Sequence, residues 1–169
     1  ETTNAEADFQ EAKAQVAALS VAMSRLTAEL FGTLPEFSQA ASEFPNFIAS
    51  QKLLFERRQS AKKEEIANLD AILALVREEI EMNEPLLKKG DVSKTEILRL
   101  QREEAELVAQ RGKVNNDYFQ NAQAEFNDTE EELERVSQLL IQRKKQLDGT
   151  TLTAPVKGIV KSIRLTTVG

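Results

Sequence analysis

With neither histidine nor cysteine among its 169 residues, this chain lacks the commonest general base, the commonest zinc ligands and any thiol nucleophile. Carboxylates are the next candidates. They stand side by side, Glu78 with Glu79 and Glu130 with Glu131 and Glu132. Neighbours on a helix point about 100° apart, so these acids do not converge on one proton or one metal ion and read as solvated faces. Two basic clusters, Arg57, Arg58, Lys62, Lys63 and Arg143, Lys144, Lys145, are each diluted by nearby Glu. Neither has the interleaved aromatics that a nucleic-acid surface uses, so no nucleic-acid partner is expected. No catalytic, cofactor-binding or metal-binding residue is assigned, and the chain is expected not to be an enzyme.

The elements that carry these residues are helical. Charged residues make up 30% and aromatics 5%, with 6 glycines and 4 prolines, a composition of long or coiled helices and not of a thick core. The net charge of −6 comes from interspersed acids and bases, again a solvated face more than a docking field. No stretch approaches the roughly 20 apolar residues of a membrane span and no signal peptide opens the chain, which implies a soluble protein or a segment of a longer one. Lack of cysteine is compatible with an oxidising compartment without requiring one.

Phe9, Ala12, Val16, Leu19, Met23, Leu26 and Leu30 follow the 3-4 spacing of a coiled-coil seam, giving a first helix over about 4–31 with Thr3 and Glu6 as its capping box. The connector 32–45 holds Pro35 and Pro45, and Thr33 with Glu36 is placed to cap a short turn inside it. A second helix over about 46–88 carries a seam at Ile66, Leu69, Leu73, Val76, Ile80 and Leu87, and a flanking apolar row at Ile72, Leu75, Met82 and Leu86. Two rows predict two neighbours, so Ile72 and Leu75 are assigned to lateral packing against the first helix or another copy. Pro85 is expected to loosen or kink the last turn. In the tip, 89–93, Gly90 suits a left-handed C-terminal cap and Ser93 with Glu96 a capping box for the third helix, about 94–147. A link this tight folds the second and third helices back on one another, over on the order of 65 and 80 Å. The third helix repeats Phe119, Phe126, Leu133, Leu140, Leu147, out of phase with Leu100, Leu107, Val114 upstream, which predicts a stutter near Gly112 to Tyr118. Its greater length leaves a base for the first helix to cover. From Thr150 the texture changes: Leu152, Ala154, Val156, Ile159, Val160 and Ile163, with Pro155 and Gly158, alternate like two short strands that need partners.

Two segments carry a family resemblance. Leu152-Thr-Ala-Pro-Val-Lys-Gly-Ile-Val160 resembles the second half of the lipoyl-like domain of HlyD-type membrane fusion proteins, the periplasmic adaptors of type I secretion. Pro85-Leu-Leu-Lys-Lys-Gly-Asp-Val-Ser-Lys-Thr-Glu-Ile-Leu-Arg-Leu100 is similar to the hairpin tip of the branch that exports RTX-type proteins. The layout matches over the whole chain, the specific motifs over about 30 residues. The resemblance implies a mainly α fold: a long antiparallel coiled-coil α-hairpin with an additional N-terminal helix over 1–148, and half of a lipoyl-like β domain over 150–169. It implies no cofactor. It implies the periplasmic portion of an inner-membrane-anchored protein of a Gram-negative bacterium, packed side by side into a ring, linking an inner-membrane ABC transporter to a TolC-like outer-membrane channel. Such adaptors carry an Arg, Leu, Ser pattern at the tip; Leu86 and Ser93 fall at matching spacing, but Met82 occupies the Arg position. The docking set is therefore Met82, Leu86, Lys88, Lys89, Gly90, Asp91 and Ser93, with Lys88 or Lys89 in line to replace the missing guanidinium. Ser93 also has a plain role as a helix cap, Leu86 as seam packing, and Gly90 as a backbone requirement. Lys157 and Lys161 do not have the neighbours that mark a lipoate- or biotin-carrying lysine. A drug-efflux adaptor and a generic coiled-coil scaffold are the alternatives; the three-helix layout and the tip motif favour protein export. The chain alone is expected to be monomeric or weakly associated.

Overall fold

A computed structural model describes residues 2–150 and Gly158. Among them are three α-helices: α1 (Thr2–Phe31), α2 (Pro45–Lys89) and α3 (Lys94–Gly149), with a 3-10 turn at Gln39–Glu43 between the first two. The strands expected over 150–169, and with them Lys157 and Lys161, lie outside the described residues apart from Thr150 and Gly158. No described helix is long and apolar enough to cross a membrane.

The 56 residues of α3 make it a spine of about 84 Å. Both other helices run antiparallel to it. Arg77 Nε meets Glu104 at 2.7 Å and Arg111 Nε meets Asp70 at 2.7 Å along α2, while Asp8 meets Arg143 at 3.1 Å along α1. Thus α2 covers the tip half of α3 and α1 the base half. They overlap for a few turns in the middle, where α1 and α2 run parallel, with Arg25 Nε donating to Gln51 at 2.6 Å. The connector doubles back beside α1, pinned by Lys13 to Glu43.

Burial follows the seams in part. In the two-helix stretch Leu73, Val76 and Ile80 bury against Ile97 and Leu100, and Val76, Ile80 and Leu100 form one cluster with Leu107 packed on it. Along α3 the inward positions then step by four, Val114 to Tyr118 to Ala122, which is the phase change the two seven-residue series require. Phe119, the first member of the later series, is 42% exposed because that shift rotates it off the seam. In α1 the deepest residues are Val21, Leu26 and Ala28, with Arg25 and Glu29 equally buried. Those two charges face inward because α1 meets α2 and α3 on two sides here.

Two local expectations are corrected. The first helix begins at Thr2, so Thr3 is inside it, and Glu6 accepts from Gln10 rather than reaching back to a cap. The connector turn is capped by Ser38 at φ −66°, ψ 155° and not by Thr33; Pro35 drives Leu34 out of the helical region, so no turn can start that early. Pro85 lies inside α2, which runs to Lys89, close to the expected end.

Leu100 is fully buried in the hairpin seam, so Leu100→Ala should cost about 2–5 kcal/mol in urea unfolding, against under about 0.5 kcal/mol for Leu75→Ala on the open flank. A Cβ at Gly90 meets nothing within 4 Å, but φ is +85°. Gly90→Ala should therefore cost about 1 kcal/mol from backbone strain alone.

Candidate functional site

The tip is built by local rules. Gly90 adopts φ 85°, ψ 7°. Its N–H donates to the Leu87 carbonyl at 3.1 Å, and that of Asp91 to the Leu86 carbonyl at 3.0 Å. This pair of bonds satisfies carbonyls that the end of α2 would leave open. Ser93 Oγ accepts from the Glu96 N–H at 3.3 Å and opens α3. The reversal takes four residues and leaves Lys88, Lys89, Gly90, Asp91 and Ser93 all exposed.

Around it the structure places apolar side chains in water. Met82 is 60% and Leu86 37% exposed, one turn apart on α2, and Leu98 of α3, which the sequence reading passed over, is 49% exposed. Among the described residues Lys88 and Lys89 have no ion pair, whereas Arg99 is held by Glu96 and Glu103 at 2.8 and 3.1 Å. The tip therefore offers an apolar stripe beside two uncommitted ammonium groups. Further down the same side of α2, Ile72 is 46% and Leu75 66% exposed. The overlap with α1 falls at Gln51 to Arg58, so α1 does not cover this row.

A second cluster lies at the three-helix overlap. Arg25 Nη1 donates to Glu29 Oε1 at 2.6 Å and its Nη2 to Glu125 at 3.1 Å; Arg58 Nη2 donates to Glu125 Oε1 at 2.6 Å and its Nη1 to Glu29 at 3.4 Å. Two guanidinium groups and two carboxylates thus alternate around one neutral ring contributed by all three helices. Partial burial pushes the Glu125 carboxyl up, but the hydrogen bonds from Arg58 and Arg25 outweigh it and hold the group below its ordinary value. The bond to Glu125 likewise raises the Arg58 pKa. Beside the ring, Lys62 Nζ lies 4.4 Å from the ring centre of Tyr118 and 5.0 Å from that of Phe119. The Tyr118 hydroxyl is buried and has no hydrogen-bond partner among the described residues. Where α1 stops, the furrow between α2 and α3 continues as an open groove of about 740 Å³ lined by Arg58, Lys62, Lys113, Asp117, Tyr118 and Glu125.

Of this cluster, sequence reasoning noted Arg58 and Lys62 only as surface charge. The available signal was the i, i+4 pair Arg25 and Glu29, set in a row with Val21 and Ala28 at the spacing of a second seam.

Among solved structures the chain is similar to the crystal structure of the soluble domain of LipC, a membrane fusion protein of a type I secretion system. The identity is 20%, over 91% of this chain and 95% of that one, with a TM-score of 0.57. The likeness is one of fold. No protein-family model matches the chain and no curated protein does.

Burial, and after it the nearby charge of Glu29, moves the Tyr118 phenol from its ordinary value to about 12. Tyr118 is the chain's one tyrosine and tryptophan is absent, so ultraviolet titration of the phenolate band should report that value directly. The depressed carboxyl of Glu125 has the opposite sign. Its contribution is present above the ordinary carboxylate value of 4.5 and is lost as pH falls through the lower folded value. The urea midpoint should drop from about pH 5 to about pH 3, and drop less in Glu125→Gln.

Proposed function

We propose that this chain is the periplasmic hairpin portion of a type I secretion adaptor, working without catalysis as a bridge between an inner-membrane ABC transporter and a TolC-like outer-membrane channel to export a protein of the RTX type. The observation that carries the reading is the tip: a four-residue reversal, far from the base along α3, that exposes Met82, Leu86 and Leu98 beside unpaired Lys88 and Lys89. Apolar anchors beside exposed cations suit an interface with a partner better than a solvated loop. The fold likeness to the soluble domain of a secretion membrane fusion protein, and the resemblance of residues 85–100 and 152–160 to HlyD-type adaptors, support the same reading.

In this mechanism Leu86 is the apolar anchor at the channel end and Met82 extends it by one helical turn. Lys88 and Lys89 supply the positive charge that an arginine at position 82 provides elsewhere. Ser93 caps α3 and presents its hydroxyl at the rim. Gly90 and Asp91 set the backbone so that these groups share one end. Ile72 and Leu75 continue the apolar stripe away from the tip, where adjacent copies in a ring would cover it. The half-domain expected over 150–169, largely outside the described residues, and an inner-membrane anchor would hold the base.

Replacing Leu86 by Asp puts a charge at the proposed anchor on a surface that does not hold the hairpin together. In a strain that depends on this adaptor, Leu86→Asp should abolish export while far-ultraviolet circular dichroism of the isolated chain stays unchanged; export at the normal level would remove Leu86 from the docking site. Cysteines placed singly at positions 86–94 should cross-link to the outer-membrane channel.

A further inference from the structure

The seam of α1 has a property visible only against the structure. Its deepest apolar residues are Ala12, Val21, Leu26 and Ala28. Seven residues before each stand Ala5, Ala14, Leu19 and Val21. A slide of α1 by one heptad toward the tip, about 10 Å, would put an apolar residue at every one of those sites, larger only where Val21 would replace Ala28. Apolar patterning alone does little to separate the two registers, because the seven-residue repeat returns an apolar residue to each seam position.

The path of the slide is open as well. Beyond the end of α1 the furrow between α2 and α3 continues as the groove of about 740 Å³. The connector, folded back along α1, has chain to give. What the slide changes is charge: Ala18 would replace Arg25, and Ala22 would replace Glu29. Arg58 and Glu125 would then keep each other but lose the bonds to Glu29 and Arg25 that close the ring. Arg25 and Glu29, now almost wholly buried, would be carried up toward the groove still paired with each other but without Gln51, Glu125 and Arg58.

We propose that the Arg25, Glu29, Arg58 and Glu125 ring is an axial register lock, which fixes how far α1 reaches along α3 and keeps it out of the adjoining groove. Buried ionic groups add little net stability because desolvation offsets their attraction, but a misplaced partner leaves a charge stranded, so they discriminate sharply between alignments. The four residues are positioning groups. The lock is independent of what the tip binds, and its failure would leave the docking proposal untouched.

The chain has no cysteine, so spin labels at Ala7→Cys on α1 and Gln120→Cys on α3, both exposed, report the register by electron–electron double resonance. The unaltered ring should give a single distance. Changing Arg25, Glu29, Arg58 and Glu125 all to Ala removes the charge difference between registers and should add a second population about 10 Å shorter. Reversing every charge, with Arg25→Glu, Glu29→Arg, Arg58→Glu and Glu125→Arg, rebuilds each pair and should restore the single native distance. A native distance alone in the alanine variant overturns the lock, as does a shortened one in the reversed ring. Should the alanine variant lose helix by circular dichroism, Glu125→Arg alone decides. It confronts Arg25 and Arg58 with a third cation and should shift the population to the shorter distance, whereas an unmoved native peak overturns the proposal.

Discussion

An amphipathic helix of 56 residues cannot hold its apolar stripe in water unaided, and no single partner in this chain is long enough to cover it. The architecture follows from that mismatch. The 45 residues of α2 start at the tip and run out before the base; the 30 residues of α1 cover what is left. The two covering helices must overlap, since a gap would expose the seam. In the overlap a third helix closes over positions that a two-helix rod leaves wet. Charges at those positions must then be paired, and Arg25, Glu29, Arg58 and Glu125 are.

The two ends of the hairpin follow different physics. At the tip everything is settled by backbone chemistry within ten residues: a glycine with positive φ, a serine cap and carbonyls satisfied by the turn itself. Apart from the Ser93 cap, the turn itself asks little of the side chains around it, and Met82, Leu86, Leu98, Lys88 and Lys89 are left exposed. At the overlap the reverse holds, with side chains from three elements committed to one another over distances in sequence of up to 100 residues. Only the first kind of organisation is open to a partner without cost to the fold.

That division also explains what the sequence disclosed. The helices, the reversal at Gly90 and the cap at Ser93 are products of local pattern, and the 3-4 spacing of Leu73, Val76 and Ile80 named their partner face. The phase change after Val114 was legible too, as two seven-residue series that could not share one stripe. Thr3 and Thr33 misled because a capping pattern is only a local opportunity; Thr3 lies inside α1, and Pro35 opposed a helical start at the second. The part-buried ring was hidden for a different reason. Arg25 with Glu29, and Arg58 within a basic run, are indistinguishable from solvent-facing pairs until the overlap of α1 with α2 is known. The flank at Ile72 and Leu75 was assigned a neighbour, but α1 ends too far toward the base to be it.

Of the three helices, α3 alone passes from Arg143 to Ser93 without a break in its peptide backbone. Torsion entering at its base therefore reaches the distal bend through covalent bonds. Torsion entering through α1 has no such route: it must cross between side chains, and four of those at the crossing are ionic. The rod is in this sense a shaft with a clutch, continuous along one member and geared by charge along the other.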